Sequence, residues 1–150
     1  MKKMLSLMMA LALICSCIAL PASAQETEKV ATEYEYMSDG GYYVTVIEET
    51  PSLLRAGGTI TGVKSATYYN SVGVAQFTVK VTATFSYDGI TAKATSVTGS
   101  TAFHVTGCSL VSSSKSMSGN SATAAATIYC NGMTVKKSLT LYCNGIGSLS

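Results

Sequence analysis

The chain has no tryptophan, a single histidine, a single arginine and two prolines. One histidine leaves a general-base or metal site with His104 alone, and metal sites want several ligands at close spacing. His104 lies between Phe103 and Val105; alternation puts it on a strand face with Thr106 and Cys108, where a lone histidine is packed or hydrogen-bonded. Asp88 has no second carboxylate near it, no nucleophile-elbow sequence is present, and Gly57-Gly58 is not a phosphate loop. The expectation is therefore a non-enzyme without catalytic residues, cofactor or metal. With no tryptophan, a flat sugar-binding platform would need tyrosines. These come as the doublets Tyr42-Tyr43 and Tyr68-Tyr69, of which only one member each can face outward on a strand. They read as scattered surface residues.

The first twenty residues are a short basic end followed by an uncharged apolar run, and Ala22-Ser23-Ala24 then offers a small-x-small cleavage site. Residues 1–24 are expected to be a secretory signal peptide, which places the mature chain outside the cell and off the membrane. Cys17 offers a lipoprotein alternative, but the apolar run continues past it to the better site. No later run is long enough to span a bilayer. Lys2 and Lys3 leave with the signal, so the mature chain balances eight basic against eight acidic residues. A neutral domain lacks the basic footprint that nucleic acid demands.

What charge there is, is segregated. Residues 25–49 hold seven acids against Lys29, a net of −6, and residues 50–150 hold seven cations against Asp88, a net of +6. Residues 25–58 read as an acidic lead and linker, with one edge strand at 42–48 and Pro51 and Gly57-Gly58 in the linker.

From Thr59 to Ser150 the texture turns to threonine, serine, alanine and valine in short strands. Thr59–Tyr69 is one strand, turned by Asn70-Ser71-Val72-Gly73 into a second. On that second strand Phe77, Val79, Val81, Ala83, Phe85 and Tyr87 share one face, the period of a half-buried strand. Asp88-Gly89 then predicts a two-residue type I′ turn, which sets Tyr87 opposite Ile90, Phe85 opposite Ala92 and Ala83 opposite Ala94. A strand at 102–111 and a polar loop at 112–120 follow. Asn131-Gly132 predicts a second hairpin, with Cys130 opposite Met133, Ile128 opposite Val135 and Ala124 opposite Leu139. Lys137 falls on its inward face. It is read either as an edge guard with its stem on apolar surface or as the partner of an early glutamate. The fold expected is all-β, an immunoglobulin-like antiparallel β-sandwich of about six or seven strands.

Cys108, Cys130 and Cys143 remain after cleavage. In an intact second hairpin Cys130 sits at the turn and Cys143 about 30–40 Å up the returning strand, beyond the ~7 Å limit between bridged Cα atoms. Of the remaining pairings Cys108–Cys143 is preferred, with Cys130 a buried free thiol.

The segments Thr67-Tyr68-Tyr69-Asn70-Ser71, Val81–Gly89, Lys115–Ala124 and Leu139–Ser150 resemble a group of small secreted all-β proteins of Gram-positive bacteria of unknown function. Related chains carry a tryptophan near position 106 or 107 and a cysteine near 94, both missing here. The resemblance implies fold and location only. The functional expectation is a secreted non-enzymatic module that meets an envelope or extracellular protein or glycan. The alternative is an exported bacteriocin-like or toxin-like effector with an acidic leader.

Overall fold

The computed structural model describes residues 27–50 and 57–150. The expected signal peptide, Cys17 and the 51–56 part of the linker lie outside the described residues. Eight strands form: β1 (Glu28–Tyr36), β2 (Tyr42–Thr50), β3 (Gly58–Tyr69), β4 (Ala75–Tyr87), β5 (Ala92–Phe103), β6 (Cys108–Ser118), β7 (Ser121–Cys130) and β8 (Met133–Tyr142). They make two antiparallel sheets, β1-β2-β3-β4-β5 and β6-β7-β8, packed face to face as a β-sandwich. Each sheet is a meander in chain order. Immunoglobulin domains interleave strands through Greek-key connections, so the likeness lies in the packed antiparallel sheets.

The alternating face of β4 is the centre of the core. Phe77, Val79, Val81, Ala83 and Phe85 are all buried, and they face Ala122, Ala124, Ala126 and Ile128 of β7 and Leu139 and Leu141 of β8. Each large side chain there contributes roughly 1.5–3 kcal/mol on burial. The alanines of β7 are small, so the sheets lie close together. The chain end closes the sandwich: Ser150 exchanges backbone hydrogen bonds of 2.9 and 3.0 Å with Tyr142, and buried Leu149 lies over Gly62. Any Cβ at Gly62 would collide with Leu149 and Leu141.

The β7–β8 hairpin has the expected register, with Cys130 opposite Met133, Ile128 opposite Val135 and Ala124 opposite Leu139. Asn131 and Gly132 both adopt positive φ, 49° and 87°, as a type I′ turn requires. The β4–β5 connection corrects the expectation. Tyr87 pairs with Ala92 and Phe85 with Ala94, two residues along from the expected register, and Ile90 is 87 % exposed. The Asp88 carboxylate is the cause. Its Oδ1 accepts the backbone N–H groups of Ile90 and Thr91 at 2.9 and 2.7 Å, which stabilises a longer loop in which only Gly89 has positive φ. Because the shift is even, the faces survive it. A bulge then skips Thr95, so Ala83 meets Val97.

Two further expectations are corrected. The stretch expected as a strand at 102–111 and a loop at 112–120 is broken instead at 104–107, and β6 runs on through its serines to Ser118. Pairing with β7 makes it a strand, and as an uncovered edge it needs no apolar alternation. The acidic lead is also structural. β1 takes up 28–36, and β2, expected at an edge, is interior between β1 and β3. The narrower sheet packs on β3, β4 and β5, so the glutamates of β1 can face the same way as the core and still stay in water. Strand count rises to eight accordingly.

Glu28 and Glu49 are opposed across β1 and β2. Burial first, and the charge of Glu28 second, hold the Glu49 carboxyl above its ordinary range. A carboxyl raised in the folded state binds more protons folded than unfolded within that window, so stability falls as pH rises through it and stays reduced at neutrality. Glu49→Gln is expected to raise the unfolding free energy measured in urea at pH 7, by about 0.5 kcal/mol after solvent screening, and to do little well below the ordinary glutamate pKa. Equal effects at both pH values would contradict this.

Candidate functional site

In a meander, alternate turns come to the same end. The β1–β2, β3–β4, β5–β6 and β7–β8 connections therefore meet, and the first, second and fourth of them enclose a hollow of about 260 Å³ lined by Asp39, Tyr68, Asn70, Ser71, Gln76, Phe77, Cys130, Asn131, Met133 and Val135. Phe77 and the apolar residues of β7 and β8 make the floor and one wall. Polar groups from three turns and from β4 make the rest.

These polar groups are held in place before any ligand arrives. The Tyr68 hydroxyl donates to Asp39 Oδ2 at 2.8 Å, and the Gly41 N–H donates to Asp39 Oδ1 at 2.9 Å. Those two bonds, the first the larger, keep the Asp39 carboxyl below its ordinary range. Burial and then the bond to Asp39 push Tyr68 up to about 12. Gln76 is buried; its Oε1 accepts from Asn131 Nδ2 at 3.0 Å and its Nε2 donates to the Val74 carbonyl at 3.0 Å. Asn70 Oδ1 accepts the N–H groups of Val72 and Val74, which turns its amide Nδ2 free. Among the described residues Asn70 Nδ2 and Ser71 Oγ have no hydrogen-bond partner.

Beside the hollow stand the tyrosines. The register brings Tyr36 opposite Tyr42 and Tyr42 opposite Tyr69, so the outward members of the doublets form a row, not the scattered set expected. Their centroids are 5.8 and 5.1 Å apart, and Tyr42 and Tyr69 stack within 8° of parallel. Stacked rings cover one another's faces, so the row is no flat platform. On the inner side Tyr43, Tyr68 and Phe77 cluster at 5.2–6.2 Å. Lys137 closes that cluster: its ammonium sits 3.9 Å from the Tyr43 ring centroid and pairs with Glu35. Of the two readings of Lys137, the early-glutamate partner is the one found. Burial raises the Tyr43 hydroxyl well above the tyrosine range.

The cysteines depart from expectation. Cys108 is bonded to Cys130, and Cys143 is the free, buried thiol. Cys108 and Cys130 are direct partners across β6 and β7, a juxtaposition hidden while Cys108 was assigned to a strand ending at 111. Burial, then the charge of Glu49, pushes the Cys143 thiol up, so it is a poor nucleophile. His104 sits in the β5–β6 turn, not on a strand; its Nε2 lies 2.8 Å from Thr78 Oγ1 and its backbone N–H donates to Gln76 at 2.9 Å. Among the described residues no three His, Cys, Asp or Glu side chains converge as metal ligands.

Sequence reasoning passed over Asp39, Asn70, Gln76 and Asn131. The available signal was that three of them stand in turns an even number of strands apart, which places them at the same end. Comparison with family models, curated proteins and solved structures finds no match to this chain.

Proposed function

We propose that the chain is an exported, non-enzymatic binding module acting at the cell surface or in the extracellular surroundings, and that the turn-lined hollow takes a neutral saccharide unit. The observation that carries this is the mixture of one carboxylate and three side-chain amides above an aromatic floor. Planar amides and carboxylates suit the paired hydroxyls of a sugar, and the half-buried ring of Tyr68 suits its C–H side. The volume, about 260 Å³, falls just below the roughly 300–1,000 Å³ of small-ligand sites and suits a single small unit. An anionic ligand would meet ionised Asp39 with no cation in the lining. Binding, not hydrolysis, fits a lining with one carboxylate, since glycosidases use two.

The effector alternative rested on a removable acidic leader. β1 builds residues 28–36 of that segment into the larger sheet, and Glu35 binds Lys137, so the module reading is favoured. The test is a glycan array followed by calorimetry on the soluble hits. Asp39→Ala is expected to weaken binding about tenfold to a hundredfold, the worth of one or two charge-assisted hydrogen bonds, while Tyr34→Ala on β1 leaves it unchanged. A blank array, or equal binding by the Asp39 variant, would sink the proposal.

A further inference from the structure

Of the four sheet edges, β1, β5, β6 and β8, the strands β1 and β6 are the two most exposed, and they lie on opposite flanks of the molecule: β1 ends the five-stranded sheet, and β6 ends the three-stranded sheet on the side of β5. All but one residue of each is exposed. One side of each strand has no strand beside it, a template for another strand. Both edges also carry exposed apolar side chains, Val30, Tyr34 and Tyr36 on β1 and Leu110, Val111 and Met117 on β6.

Their charges are opposite. β1 carries Glu28 and Glu33 against Lys29, its Glu35 being taken up by Lys137, with Glu48 and Glu49 behind it on β2. The other flank carries Lys80, Lys93 and Lys115, and β4, β5 and β6 contain no acid at all. A hollow of about 310 Å³ runs along β6, floored by Gly99, Ala124 and Ala126 and flanked by Leu110 and Lys115, which leaves room for the side chains of an added strand.

The geometry points to head-to-tail association, in which β1 of one copy adds to the free edge of β6 of the next. The occupant is a second copy because the two edges complement each other. β1 against β1 would oppose glutamates, and a second β6, whose one charge is Lys115, offers that lysine no opposite charge; only the unlike pairing attracts. Charges and a bulge in each strand deter indiscriminate edge pairing, and opposite signs turn the deterrent into a selector. Because the edges lie on opposite flanks of one molecule, such a contact does not close on a two-fold axis. It propagates into an open chain.

Sedimentation velocity of the whole protein over a concentration series tests this. The weight-average mass is expected to rise without stopping at two copies at low salt, and to fall at high salt, where screening is within a few ångströms. Glu33→Lys or Lys115→Glu alone, both at exposed positions, should weaken association about tenfold. Mixing the two variants, or combining both changes in one chain, should restore it, an outcome that misfolding cannot imitate. A monomer at every concentration in low salt, a mass that stops at a dimer, or single variants that associate normally would each overturn the inference.

Discussion

Phe77→Ala is expected to lower the unfolding free energy by about 3–5 kcal/mol, among the largest single-residue effects in this molecule. Phe77 is fully buried, and its ring meets those of Tyr43 and Tyr68 at 6.2 and 5.4 Å. Removing it leaves a void between the sheets, bordered by the Tyr43 and Tyr68 rings, whose positions in their own strands keep them from collapsing into the space. Domains have only about 5–15 kcal/mol in total, so the variant stands near the threshold of folding. Urea unfolding followed by circular dichroism measures the loss. Phe77→Leu, which keeps most of the volume, should cost under about 1.5 kcal/mol. A loss below 1 kcal/mol for the alanine variant would mean that the ring is not packed as described. The same ring lies beneath the turn-lined hollow, so the leucine variant also tests whether ligand binding depends on that support.

Reduction of Cys108–Cys130 is expected to cost about 3 kcal/mol, because the bond closes a loop of 22 residues in sequence separation and its loss releases that closure entropy to the unfolded chain. Thermal melts with and without reductant measure it, and the Cys108→Ala/Cys130→Ala chain should melt low and ignore reductant. Cys143→Ala should keep its response to reductant. Peptide mapping without reduction should recover 108 joined to 130 and alkylate 143 only after unfolding. A bridge between 108 and 143 would reinstate the pairing expected from sequence and remove the basis of this prediction.

The β7–β8 hairpin shows what local sequence determines. Asn131-Gly132 can take the required positive φ on its own, and a two-residue turn leaves no freedom of register, so the pairs from Cys130–Met133 to Ala124–Leu139 follow from a few neighbouring residues. The inward face of β4 is equally local, since alternation of Phe77 to Tyr87 is a property of one strand. At Asp88 the same reasoning failed by two residues, because a side-chain carboxylate competed for the backbone N–H groups that the tighter turn would have used.

β1 and β6 show what the sequence alone leaves open. Glu28–Tyr36 and Cys108–Ser118 are too polar to announce themselves as strands, and each is one only because a neighbour supplies its hydrogen bonds. β6 in turn decides which cysteine lies opposite Cys130, and β1 brings Tyr36 beside Tyr42. The hollow built from Asp39, Asn70, Gln76 and Asn131 belongs to the same class. Each turn is legible by itself, but convergence depends on how many strands lie between turns, and one missed or misplaced strand moves a turn to the wrong end. Local backbone preference determined the hairpins; pairing between distant segments decided the edges, the disulfide and the site, because those energies arise only when the strands meet.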